Sequence, residues 1–411
     1  MKKTIYLLSL VIPLFMAISC EDKPDDYKFP VDKYFYEIPD VPVTEDYVIG
    51  VPYNVVDSGY WFNKSTNRDE LYTGHPLLGE YNTKYSLPEI LPQHLKWGKE
   101  AGIDFFIVSW GGHGWNDTLL TRWGELYAQD NQLPRVVIRF DPGYMMNRKF
   151  KGTNDTLQLN PARMDSLRFD IDSIYTHVMS KDYAYKDKNN NPVMVLCNFT
   201  NKPESLVDLH KFTNEFRTIA NNKLWMMGEV GGNWSSPEYW GYRDETTKGV
   251  VKGDTIGAFD AVFITDVATS NKDRFDGYYS FMDVNYRYWQ ERMRTINKEY
   301  IPMIFPSFDN KAREAANTGN YIIPRYSEEK NEAYIITAAA EYNEGVEQVY
   351  NLTNYKQSPY KILGNVAKRN VGQSRIILVY SWNDFRNGNN LEPTKEINDD
   401  YLRYTKKYFK R

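Results

Sequence analysis

Asp141, Glu229, Asp266, Asp309 and Asp384 each end or follow a short apolar run in a chain of 411 residues. Ser109, Asn198, Asn310 and Asn383 occupy comparable places. Two carboxyl groups brought to one site can cleave a glycosidic bond. One protonates the leaving oxygen and the other acts as nucleophile or base, and their separation decides whether configuration is retained or inverted. Any single Asp is more often a turn or cap residue. Five at matching places predict an acidic, hydrogen-bonding mouth suited to a polyhydroxylated ligand. The five histidines (His75, His94, His113, His177 and His210) contain no pair at metal-ligand spacing, so no metal is expected. His75 and His113 fall in loops at the same end, where they suit either hydroxyl binding or a structural role. No Gly-rich loop opens a helix in a dinucleotide or phosphate-binding pattern, and no cofactor is expected.

The elements that must carry these groups follow from periodicity. Apolar strand-like runs are predicted at 48–53, 103–110, 135–140, 192–199, 224–228, 261–265, 301–305 and 375–380. Helical patterns are predicted at 88–101, 117–129, 162–180, 204–221, 282–298, 327–342 and 360–370. The interval 229–260 is rich in Gly and aromatic residues and has no clear helix. Eight buried strands alternating with helices favour a single (β/α)8 barrel over the rival, a doubly wound open sheet. In a barrel the groups after the strands gather at one end.

Composition narrows the partners. With 50 basic and 54 acidic residues the formal charge is -4, and no basic stripe exists, so nucleic acid is not an expected partner. The 33 Tyr, 20 Phe and 10 Trp exceed what turns require. Most must be core, yet Trp234, Tyr239, Trp240 and Tyr242 lie among Gly, Asn and Asp, where flat rings suit sugar faces.

The N-terminus is read as an address. Lys2 and Lys3 precede an apolar stretch, 5–18, too short to span a bilayer, and Ala17-Ile18-Ser19-Cys20 closes it. This is similar to a bacterial lipoprotein signal: residues 1–19 would be removed and Cys20 acylated; a plain signal peptide with a chance Cys is the alternative. Residues 20–45 are expected as an acidic flexible tether and 46–411 as the barrel. The stretch Glu21 to Asp26 resembles signals that send Bacteroidetes lipoproteins to the cell surface. An exported protein, lipid-anchored to the outer membrane, surface-exposed and monomeric, is the expectation. Cys197, in an apolar run, is read as a small buried hydrophobe.

Longer segments carry a family resemblance. Pro76-Leu77-Leu78-Gly79-Glu80-Tyr81, Gln93-His94-Leu95-Lys96-Trp97 and Ala101 to Trp110 are followed by Phe259-Asp260-Ala261-Val262, Pro306-Ser307-Phe308-Asp309-Asn310, Ser381-Trp382-Asn383-Asp384-Phe385 and Leu391-Glu392-Pro393. Together they resemble the glycoside hydrolase family 71/99-like group, which includes endo-acting α-mannosidases and WbsX-like proteins of polysaccharide loci. The resemblance implies a (β/α)8 fold, hydrolysis within α-linked glycans, and catalytic carboxylates after the eighth strand. In family 99 a Glu there assists through the sugar 2-hydroxyl, and a second Glu three residues on protonates the leaving group. These positions fall on Asp384 and Asn387. Asp384 keeps the charge on a shorter arm, whereas an amide at 387 cannot act as general acid. Candidate catalytic groups are therefore Asp384, Glu392 and, as a relocated acid, Glu229. Glu392 could instead bind substrate or brace its loop. Trp110 would stack on sugar or be a core residue, and Tyr53, Asp309, Asn383, Asn387, Trp234 and His113 would line the site. Three functions follow: a surface glycosidase acting on α-glycans such as mannan, a barrel that binds glycan without cleaving it, and an inverting hydrolase pairing Asp384 with a distant partner.

Overall fold

The computed structural model describes residues 36–63, 68–69, 73–142, 161–197, 209–230, 256–265, 278–309, 322–334 and 357–411. Cys20, most of the expected tether, and Asn198, Trp234, Asp266 and Asn310 lie outside them.

Eight parallel strands form the centre: β1 (Val48–Tyr53), β2 (Phe105–Trp110), β3 (Arg135–Phe140), β4 (Val193–Leu196), β5 (Trp225–Val230), β6 (Ala261–Ile264), β7 (Glu299–Tyr300 continuing as Met303–Ile304) and β8 (Ile376–Val379). Pro302 has no N–H to give a ladder, and it splits β7. The first half of β7 pairs with β6 and the second with β8, while β8 also pairs with β1. The ring therefore closes into a barrel. The helices are α1 (Leu87–Glu100), α2 (Trp115–Gln129), α3 (Pro161–Ile174, prolonged by a π-helical turn Tyr175–Met179), α4 (Leu209–Ile219), α5 (Tyr278–Thr295), α6 (Pro359–Asn370) and α7 (Asp400–Phe409).

Strand parity sets what faces inward. Phe105, Ile107, Val137, Val193, Val195, Met227, Phe263, Met303, Ile376 and Leu378 fill the barrel interior. Gly50 is needed beside them, because a Cβ there would lie 2.3 Å from the Phe105 ring and 2.8 Å from Leu378. The alternate residues face the helices: Phe106 packs edge-on against Trp123 of α2 at 5.8 Å and against Trp382 at 5.1 Å. At the N-terminal end, Lys410 donates to Asp104 at 2.7 Å and to the Tyr47 carbonyl at 2.6 Å, tying the C-terminus across the base.

Two expectations are revised. The helix expected at 327–342 is, over its described part, an antiparallel hairpin of Arg325–Ser327 and Glu332–Tyr334. Tertiary bonds override the helical pattern there: Tyr326 and Glu328 donate their N–H groups to the Tyr401 and Tyr404 hydroxyls of α7, and Asn331 adopts φ 56° in the turn. α7 itself has no counterpart among the predicted helices. Residues 38–45, expected in the tether, belong to the compact unit that runs from Ile38 to Arg411. Asp40 accepts from Lys361 and Asn365 of α6, both at 2.8 Å.

The tight contact at Gly50 gives a stability test. Gly50→Ala is expected to lower the unfolding free energy by about 1–3 kcal/mol in a urea titration, with partial recovery in Gly50→Ala/Phe105→Leu. An unchanged midpoint in the single variant contradicts this packing.

Candidate functional site

All eight strands run the same way, so the groups after their last residues share one end of the barrel. Inside that end, parity places Ser109 of β2, Arg139 of β3 and Glu229 of β5 on the interior face above the apolar layers. Arg139 grips Glu229 with two bonds, Nε to Oε2 at 2.5 Å and Nη2 to Oε1 at 2.8 Å. Its Nη1 reaches Ser109 Oγ at 3.3 Å. The Arg139 and Glu229 side chains keep 28% and 15% of their surface in water, so this polar group is a floor and not a sealed core. Burial opposes the guanidinium charge, but Glu229, with Cys197 and Asp141 adding to it, overrides this and raises the Arg139 pKa. The neighbouring Cys197 thiol is raised by burial and stays a thiol.

A second group stands on the β7–β8–β1 side. After β8 the chain passes a cis Tyr380–Ser381 peptide and enters a turn closed by Gly388 at φ 57°, a left-handed conformation that favours glycine. Asp384, 6% exposed, sits in that turn. Its Oδ2 accepts from Asn387 Nδ2 at 2.6 Å and its Oδ1 from the Tyr60 hydroxyl at 3.4 Å. Burial, with the Asp384 charge, pushes the Tyr60 phenol far up, which keeps it a donor. Arg386 lies on the Tyr60 ring, 4.5 Å from its centroid, and bonds the Tyr60 and Gly59 carbonyls. Asp309 packs beside Gly388, where an added Cβ would lie 3.2 Å from the Asp309 Cβ. Asp309, Asp384 and Asn387 are thus brought together.

Beneath this turn runs a sealed polar network. Glu392 is wholly buried; its Oε2 accepts from Tyr81 at 2.7 Å and its Oε1 lies 3.2 Å from His94 Nε2. His94 Nδ1 and the Tyr53 hydroxyl are hydrogen-bonded at 3.0 Å. Asn383 donates to the Tyr81 hydroxyl at 3.0 Å and exchanges two bonds with the Asn54 backbone, at 2.8 and 2.9 Å. Burial, then the Glu392 carboxylate, drives the Tyr53 and Tyr81 phenols far upward, so both remain neutral. A further tie joins the loop after β1 to the loop after β8: His75 gives its backbone N–H to Glu396 and its Nδ1 lies 2.6 Å from the same carboxylate. Burial works to raise the Glu396 pKa, but the His75 bonds outweigh it and hold it below the usual range.

Several expected site residues are placed elsewhere. Trp110 and Tyr53, each 2% exposed, correct the expectation of sugar-facing rings. Both have outward parity. Trp110 stacks on Phe140 at 6.0 Å, and Tyr53 packs edge-on against His94, Phe106 and Trp123. His113 is exposed on the outer side, over Trp110 and 3.2 Å from Asp117 of α2. Asn383 and Glu392 are buried in the network and do not face the mouth. Sequence reasoning missed Arg139, Tyr60 and Tyr81. Arg139 had a visible signal, a charged residue two places after the inward Val137 near the C-terminal end of its strand.

No family model matches the sequence, and no curated protein matches it. Solved structures do. One described as a glycoside hydrolase-like protein is 20% identical, covers 93% of this chain and 99% of its own, and superposes with a TM-score of 0.67. A GH99 endo-alpha-mannosidase from Bacteroides thetaiotaomicron, in complex with bis-tris propane, is 16% identical, covers 89% and 97%, and superposes with a TM-score of 0.54. At these identities the likeness is one of fold: the chain has the (β/α)8 barrel architecture of these glycoside hydrolase structures.

Proposed function

We propose that this protein binds α-linked glycans in the C-terminal mouth of the barrel and hydrolyses them, while anchored by lipid at Cys20 on the outer face of the outer membrane. The observation that supports the reading is that two carboxylates belong to the same end of the barrel, Glu229 near the end of β5 and Asp384 in the turn after β8. The α-mannosidase activity named for one structural neighbour makes α-mannan the first substrate to try. The N-terminal sequence supports the location.

The geometry divides the chemistry. Both Glu229 oxygens accept from Arg139, which suits a fixed carboxylate that steadies positive charge developing at the anomeric carbon. It does not suit a group that must hand a proton to a leaving oxygen. Asp384 accepts from Asn387 and Tyr60, and so takes the proton of an attacking water, a proton that passes through solvent to the departing sugar oxygen. Glu392, with no exposed surface, serves as a positioning residue that holds Asn383 next to Asp384. A second reading, glycan binding without cleavage, is favoured by one observation. The residue at the acid position of the resembled family, Asn387, is an amide that donates to Asp384.

Reducing-end release from a panel of α-linked glycans, yeast mannan first, separates the two. Hydrolysis predicts release by the wild type and at least about 100-fold less by Asp384→Asn. Binding without any release makes the second reading correct, and an undiminished Asp384→Asn removes Asp384 from the mechanism. Glu392→Leu, which deprives the buried Tyr81 hydroxyl of its acceptor, is expected to cost about 2 kcal/mol in urea unfolding. A midpoint equal to the wild type would contradict the bracing role.

A further inference from the structure

Arg325 is 3% exposed and opens the hairpin between β7 and β8. Its Nη2 donates to the Asn390 side-chain oxygen at 2.8 Å, the Asn390 carbonyl at 3.2 Å and the Gly388 carbonyl at 3.4 Å. The Tyr401 ring lies 4.9 Å from the guanidinium carbon. Every one of these partners is neutral. Among the described residues no carboxylate pairs with Arg325, an unusual state for a buried cation, since removing such a charge from water is costly unless it is compensated.

The bonds around it are also incomplete in one sense only. Arg325 Nη1 is enclosed and has no acceptor. Asn389, on the segment that Arg325 grips, is wholly buried, and its Nδ2 has no acceptor either. Its Oδ1 is already used by Ser381 Oγ at 3.3 Å. Guanidinium and amide nitrogens only donate, so whatever completes them must accept. Buried donors left unmet are rare in folded proteins. The uncompensated positive charge selects an anion over a neutral acceptor, and enclosure by the hairpin, the β8 turn and α7 demands a small one.

We infer that Arg325 and Asn389 form an internal site for a small monovalent anion, chloride being the candidate, between the hairpin and the turn that carries Asp384. The site is independent of glycan recognition. Bound chloride would join the hairpin to residues 388–390 and stiffen the turn.

Thermal unfolding of the full chain, prepared free of halide, tests this with sodium chloride against sodium gluconate at equal ionic strength. Chloride is expected to raise the Tm saturably by roughly 2–4 °C over gluconate, and Arg325→Met to abolish the difference. Wild-type crystals soaked in sodium bromide give a reading that needs no variant to fold. An anomalous peak within hydrogen-bond distance of Arg325 Nη1 and Asn389 Nδ2 is expected. An ordered water at that position in bromide, or no peak there, overturns the site whatever the salts do to the Tm. Equal Tm in the two salts overturns it as well.

Discussion

A carboxylate removed from water must be met by donors, and Glu392, wholly buried beneath the turn after β8, carries that requirement. Tyr81 donates to it and takes a further bond from Asn383, while His94, bonded to Tyr53, stands 3.2 Å from the other carboxylate oxygen. Through Tyr81, Glu392 and Asn383 the loop after β1 is tied to the turn after β8, with His94 of α1 packed beside them. Loss of the Tyr81 bond would leave a further buried polar group without its partner, which ties Tyr81, Asn383 and Glu392 together. Asp384 inherits its position from this arrangement, because the residue before it is one of the bonded members.

The mouth above is built by the alternation of a strand. On β2, β3 and β5 the inward residues that fill the barrel, Phe105, Ile107, Val137 and Met227, give way at the C-terminal end to Ser109, Arg139 and Glu229. Apolar layers fill the barrel, and the final layer is polar. The two polar groups differ in kind. The floor is a neutralised ion pair open to water, while the rim is a turn whose carboxylate is presented through Asn387 and Tyr60. A ring of hydroxyls bridging them would meet donors on one side and acceptors on the other.

The barrel was legible in the sequence because its strands are continuous apolar runs bounded by turn residues, and those runs coincide with the observed strands within a few residues. Side-chain direction was less so. Trp110 and Tyr53 stand at strand ends, where a sugar platform is expected, but one step of parity turns both toward the helices. The hairpin at 325–334 shows a similar limit: its helical pattern yields to bonds from Tyr401 and Tyr404, far away in sequence. Long-range partnership was the least accessible part. His94, Tyr81 and Glu392 each stand in a segment that resembles the hydrolase group, yet only folding reveals that they answer one another. Arg139 is the counter-example, since its charge at an inward strand position was there to be read.

The account centres on a single sugar-binding mouth between the Arg139–Glu229 floor and the Asp384 turn. A crystal structure with an α-linked mannooligosaccharide bound tests this most directly. The account predicts sugar hydroxyls within hydrogen-bond distance of Arg139 or Glu229 on one side and of Asp384 on the other. Oligosaccharide seated on the outer helical face, with the mouth empty, would contradict it.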